Sequence, residues 1–340
     1  MVYEQIASNK RKTVVILILF ALIYIMVMSS AMYLMTGDVE VSLLIGVIGS
    51  AIYLVIVYTT SGQRVLGMSQ GQEADRDSYR QLYNVVEEVS IASGVKMPKV
   101  YVIPTDAPNA FASGMSEDDA VVGITTGLLA ILNREELEGV IAHEMAHIKN
   151  QDMRLTTIIV ALVSSVVFVT QVGTRVRIGR SNNRNNSNGL FIIIALVSMV
   201  LGYFISNLVQ LYLSRNREYL ADATAAEITR NPNGLIRALG KIDKQIVDFN
   251  EDESGELRFK AKQFTEEDEY QGVTNQSEFL PQGYDLADNY GVELDKRMEG
   301  MFFTNPFKTR ETLDQDSLFS THPSTTNRIS KLKQSMGQSQ

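Results

Sequence analysis

Apolar residues gather along this chain in four long runs, at Thr13–Leu34, Val41–Thr59, Leu155–Val172 and Gly189–Leu213. The first holds 22 residues without a charge. At about 1.5 Å per residue it spans roughly 33 Å, enough to cross the hydrocarbon core of a bilayer. The first two runs form a hairpin across the polar turn Thr36-Gly37-Asp38-Val39-Glu40. Lys10-Arg11-Lys12 precedes the first run like the start of a cleaved signal peptide. The run is longer than such peptides need and a second follows closely, so an uncleaved anchor is expected. The same three cations place the N-terminus in the cytoplasm, and two crossings bring the chain back there near Arg64. The third and fourth runs read as a second hairpin, either spanning or only partly embedded. Its connection carries Arg175, Arg177, Arg180 and Arg184, against the charge rule, and a low-complexity stretch at 181–188.

Between and after these runs the periods shorten. Asp75–Ser93 has Leu82, Val85, Val86 and Val89 on one helical face and Gly94 as a stop. Lys99–Ile103, Asn109–Gly114 and Ala120–Ile124 read as short strands bounded by Pro98, Pro108 and Gly114. Asn133-Arg134-Glu135-Glu136 has the spacing of a capping box. Leu137, Val140, Ile141, Met145 and Ile148 continue from it at helical intervals. The expected fold class is therefore α+β and mainly helical, with four transmembrane or membrane-embedded helices. Residues 1–61 form a first membrane hairpin, 62–154 the first part of a soluble domain, 155–213 a second hairpin, and 214–340 the rest of that domain.

Charge refines this picture. Asp248–Glu299 carries 15 acidic and 5 basic residues, a net of −10 against −8 for the whole chain. The acidity thus belongs to one insertion at about 248–300, read as a surface excursion, and the remaining body is mildly basic. A negative chain argues against general nucleic-acid binding. The absence of cysteine removes disulfides, thiolate metal sites and cysteine nucleophiles.

The chemistry concentrates in one helical turn. The chain has three histidines, and two of them lie in His143-Glu144-Met145-Ala146-His147. Residues i and i+4 share a helix face, so both imidazoles can close on one zinc ion at about 2.0–2.1 Å each. Glu144 can then take a proton from water polarised by the metal and pass it to a leaving amine. This is the metalloprotease reading of H-E-x-x-H. Gly139, one turn earlier, either leaves space beside the metal or packs against a neighbouring helix. A catalytic zinc normally has a third protein ligand. Glu218, in Arg217-Glu218-Tyr219-Leu220-Ala221-Asp222, lies just past the fourth apolar run as His147 lies just before the third. A membrane hairpin between them would bring both to one surface. Asp222, a turn later, can accept a hydrogen bond from a ligating histidine and fix its tautomer.

Several stretches in a set order resemble the HtpX family of integral membrane zinc proteases, relatives of the CAAX prenyl proteases. They are the paired N-terminal runs, Pro108-Asn109-Ala110-Phe111-Ala112, the His143–His147 motif, the second apolar pair, Arg217–Asp222, and Ser320-Thr321-His322-Pro323-Ser324. The resemblance implies a gluzincin-like catalytic domain facing the cytoplasm, with one zinc on His143, His147 and Glu218 and Glu144 as base. It further implies that the chain sits in the cell membrane and cuts misfolded or damaged membrane proteins under stress. Asn109, Ala110, Phe111 and Ala112 fit an edge strand that holds substrate backbone. His322 fits a donor to the oxyanion, and Arg328 a partner for an acid near the site. Two departures stand out: Ser324 where a second proline is common, and the length of the acidic insertion. The alternatives are a CAAX-type protease acting on prenylated C-termini, for which four spans are few, and a catalytically silent membrane scaffold, which would not need Glu144.

Overall fold

The computed structural model describes residues 38–105, 107–162, 164, 215–245, 249–251, 257–259, 278–281, 294–304 and 322–337, with scattered positions between 11 and 29. The chain divides into two compact units, Met1–Arg64 with Thr157–Tyr212, and Val65–Thr156 with Leu213–Gln340.

In the first unit, Asp38 accepts from the backbone N–H of Glu40 and Val41 and so starts helix α1 (Val39–Ser69). Among the described residues α1 is the one helix long and apolar enough to cross a membrane. Leu44, Ile48, Ile52 and Val55 are exposed on it, as lipid-facing side chains would be, whereas Ser42 and Ser50 are buried. Gly46 lets the backbone of Ser29 approach: a Cβ there would lie 2.9 Å from Ser29 N. The described positions within the first apolar run are helical. The fourth run and the arginine-bearing connection lie outside the described residues.

The second unit has a four-stranded sheet in the order β1-β2-β4-β3, built from β1 (Gln72–Glu73), β2 (Lys99–Ile103), β3 (Ala110–Ser113) and β4 (Val121–Thr125). β2 pairs with β4 in parallel, and the outer pairs are antiparallel. Its helices are α2 (Arg80–Ser93), α3 (Thr126–Ile131), α4 (Arg134–Lys149), the start of α5 (Met153–Leu162), α6 (Arg215–Thr229), α7 (Pro232–Gln245) and α8 (Thr325–Gly337). The pattern expected α2 to start at Asp75. Instead Asp75 caps a separate turn through Ser78 N, and the helix begins at Arg80. Gly94 ends α2 in the left-handed region at φ 70°, which a glycine adopts without steric cost.

Helix α4 is the centre of the unit. Its capping box forms in both directions, Glu136 N to Asn133 Oδ1 at 3.1 Å and Asn133 N to Glu136 Oε2 at 2.9 Å. Leu137, Val140, Ile141, Met145 and Ile148 all enter the core with the α2 stripe and the β2 and β4 valines. Each such side chain contributes about 1.5–3 kcal/mol on burial. Helices α2, α6 and α7 pack around α4. Gly139 meets α7 and not the site: a Cβ there would fall 2.6 Å from Leu235 N and 2.8 Å from Leu235 Cα. Gly234 returns the contact, its own Cβ direction running into the Glu135 carbonyl oxygen. Lys241 on α7 completes the seam by donating to Glu136 Oε2 at 2.8 Å. Within the acidic insertion, a small antiparallel pair joins β5 (Phe249–Glu251) and β6 (Leu257–Phe259). Phe279 is buried in the core, so this insertion is anchored and not wholly a solvated excursion.

Candidate metal centre

The second unit gathers three side chains around one point. Ligand atoms of His143, His147 and Glu218 lie within 4.8 Å of one another. Helix α4 supplies the histidines one turn apart, and the first turn of α6 supplies the carboxylate. The Nε2 atoms are 3.1 Å apart. Glu218 Oε2 lies 3.6 Å from His143 Nε2, and Glu218 Oε1 lies 3.8 Å from His147 Nε2.

The outer ring nitrogens decide which way the inner ones face. His143 Nδ1 is 3.0 Å from Asp222 Oδ1, and Arg328 also approaches it at 3.3 Å. The carboxylate is the nearer partner and only accepts, and the guanidinium donates its proton to Asp222 itself, so Nδ1 carries its proton toward Asp222 and Nε2 is left with a lone pair. His147 repeats the arrangement with Asp152 Oδ1 at 2.9 Å from Nδ1. Two inward lone pairs 3.1 Å apart, beside a carboxylate, repel one another unless a cation lies between them. For bonds of about 2.0–2.1 Å the edge of a tetrahedron is roughly 3.3–3.4 Å, close to the observed separations. The residues therefore fit zinc.

The electrostatics agree. Burial would raise the Glu218 carboxyl, but the facing His322 and the His143 hydrogen bond outweigh it and hold it well below the usual range. Burial would depress His147, yet Asp152 pushes it up to about 10 in the metal-free protein. Both directions describe a pocket that favours positive charge. Glu144 differs: burial pushes its carboxyl above the ordinary range, against the pull of His143 and His147. Its Oε1 is buried without a hydrogen-bond partner among the described residues, and Glu144 lines the cleft. The free space there is about 20 Å³, room for about one water molecule.

The supporting contacts are extensive. Arg328, 1% exposed, grips Asp222 through Nε at 3.0 Å and a terminal nitrogen at 2.7 Å. It also donates to the Phe303 carbonyl at 2.8 Å and lies over the Phe303 ring, which stands edge-on to His143. His322 lines the cleft with Nδ1 3.4 Å from Glu218 Oε2, and its Nε2–H donates to the Glu299 carbonyl at 3.3 Å. Asp152 was not singled out from sequence. Gln151, at φ 54°, turns the chain back after α4 and sets Asp152 beneath His147. An acid just beyond the helix end was the available signal.

The edge strand behaves unlike the expectation in one respect. Asn109, expected to bond a substrate, is fully buried. Its amide donates to the Thr304 carbonyl at 2.8 Å and accepts from Thr304 N at 3.3 Å. Phe303 N donates to the Ala110 carbonyl at 2.8 Å, so this end of the edge is occupied by the protein's own chain. The Phe111 ring lies over Gly123 and edge-on to Phe302. Ala112 lines the cleft. Alternate residues of a strand turn their backbone groups the same way, so Ala112 presents its N–H and C=O outward as Ala110 does.

The chain is similar to several known proteins. The profile of peptidase family M48 matches residues 76–336. A "Protease HtpX homolog" of Streptococcus agalactiae is 42% identical over 250 residues, 72% of this chain and 84% of the relative. Another from Lactobacillus helveticus is 34% identical over an alignment of 343 residues, covering 98% of this chain and 100% of the relative. The crystal structure of S. mikatae Ste24p aligns with 91% of this chain at 13% identity and a TM-score of 0.41, and this chain covers 61% of that one. The chain belongs to peptidase family M48, whose members are zinc metalloproteases, and is itself a metalloprotease.

Proposed function

We propose that this chain is a membrane-integral zinc endopeptidase that cuts unfolded stretches of damaged membrane proteins close to the lipid surface. The observation that carries the reading is the convergence of His143, His147 and Glu218 on one point, with the unpartnered Glu144 Oε1 beside it. When bound, zinc supplies a Lewis acid that polarises a carbonyl and acidifies water. The chain's own residues do the rest. Glu144 takes a proton at Oε1 and delivers it to the leaving amine, a task suited to a carboxyl whose affinity for protons is raised. His322 turns Nδ1 into the cleft and, carrying a proton on each ring nitrogen, donates from Nδ1 to the carbonyl oxygen while Nε2–H holds the Glu299 carbonyl. Asp222 and Asp152 hold the two imidazoles in the tautomer that keeps Nε2 available.

An extended peptide is larger than the free space in the cleft, so Met301 and Phe302, which line it, swing aside as substrate pairs with the Ala112 edge. Asp152, with Met153 and Thr156 from the first turn of α5, also lines the cleft. α5 takes in the start of the third apolar run, which supports a position beside the membrane. Residues 1–61 and 155–213 are the two membrane hairpins of this reading, giving four spans, with the N-terminus and the protease parts 62–154 and 214–340 in the cytoplasm.

The deciding experiment is Glu144→Gln in the full chain. Zinc retained at one per chain with casein cleavage lost is the expected result. Unchanged cleavage, or a zinc-loaded wild type that cuts nothing, overturns the proposal.

A further inference from the structure

Among the described residues of the protease unit, Arg217 is, like Arg328, a fully enclosed arginine, and the metal chemistry does not use it. It is 3% exposed, lines the cleft next to Glu218, and its Nε is buried with no hydrogen-bond partner among the described residues. It makes no ion pair among the described residues. Arg328 shows the contrast: equally buried, its charge is met by both oxygens of Asp222. An enclosed charge without a partner is costly, and the cost is recovered when an anion reaches it. The cleft is also lined by Met153, Met301 and Phe302, whose apolar surfaces strengthen a charge pair by lowering the local dielectric, and by the carboxylates of Glu144, Asp152 and Glu218, whose charge a bound zinc offsets. The planar fork of a guanidinium matches a carboxylate with two parallel hydrogen bonds, which a single backbone carbonyl does not satisfy.

We infer that Arg217 is a specificity-determining residue that receives a carboxylate of the substrate beside the scissile bond. The inference rests on the peptidase reading and names its substrate class: peptides carrying an acidic side chain, or a free chain end, within one or two residues of the cut. A neutral backbone contact would serve every peptide equally, so the two are separable by substrate series.

The test uses the full chain in detergent with zinc bound and internally quenched peptides that differ only in Glu, Gln or Lys at the positions flanking the cut. Each is made with a free and an amidated C-terminus. Wild type is expected to show kcat/KM about 10–100-fold higher for a carboxylate-bearing peptide than for its neutral match. Arg217→Gln brings that ratio to about one, and Arg217→Glu reverses it in favour of the lysine peptide. Arg217→Lys keeps the ratio above one and guards against a variant that fails to fold, as does zinc at one per chain. A preference carried by the Glu peptides assigns a side-chain carboxylate; one abolished by amidation assigns the chain end. A ratio that is the same in wild type and Arg217→Gln overturns the role of Arg217 while leaving the peptidase intact. A wild type that cleaves none of the peptides removes the peptidase reading and this inference with it.

Discussion

Gly139 sits one turn before His143, and replacing it by alanine separates two explanations of a glycine in that position. A Cβ there would lie 2.6 Å from Leu235 N and 2.8 Å from Leu235 Cα, both backbone atoms of α7 that have no rotamer with which to yield. Overpacking of this kind costs about 1–3 kcal/mol. Alanine in a helix interior returns about 0.8–1 kcal/mol over glycine. The net expectation is a loss of up to about 2 kcal/mol, or a fall of up to about 8 °C in melting temperature for a unit of this size. Gly240, on α7 with none of the described residues within 4 Å of its Cβ position, is the internal control. Gly240→Ala takes the propensity gain without the clash and raises stability by about 0.8–1 kcal/mol. Thermal unfolding of the full chain in one detergent, followed by circular dichroism, measures both. Equal or higher stability of Gly139→Ala refutes the packing argument, above all if its zinc affinity falls at the same time.

Zinc at about a hundred times its Kd should stabilise the folded chain by about 2.7 kcal/mol, so the melting temperature rises with metal in wild type but not in His147→Ala. Asp222→Asn should weaken zinc binding about 10–100-fold in competition with a chelating dye, because His143 loses the acceptor that orients it; an unchanged affinity refutes that role. Asn109→Ala should cost about 1–3 kcal/mol by leaving the Thr304 backbone buried without its partner, and a lower melting temperature checks this. A raised KM with unchanged stability would return Asn109 to the substrate.

Much of α4 was legible in the sequence because its determinants are local. The capping box needs residues three apart, the core stripe of Leu137, Val140 and Ile141 needs helical periodicity, and the two histidines share a face because they are four apart. The apolar run at Val41–Thr59 was equally plain, since length and composition alone let a helix such as α1 cross a bilayer. Only tertiary structure decided the rest. Glu218 lies 71 residues beyond His147 and meets it through the packing of α6 on α4. The acid that pairs with Arg328 is 106 residues away, and the carbonyl that engages Asn109 is 195 away. Whether Gly139 faces the metal or α7 depends on which helix crosses α4 at that turn, and no local period encodes the crossing. Periodicity tells which side of a helix is buried; what it is buried against is set by contacts between residues far apart in the chain.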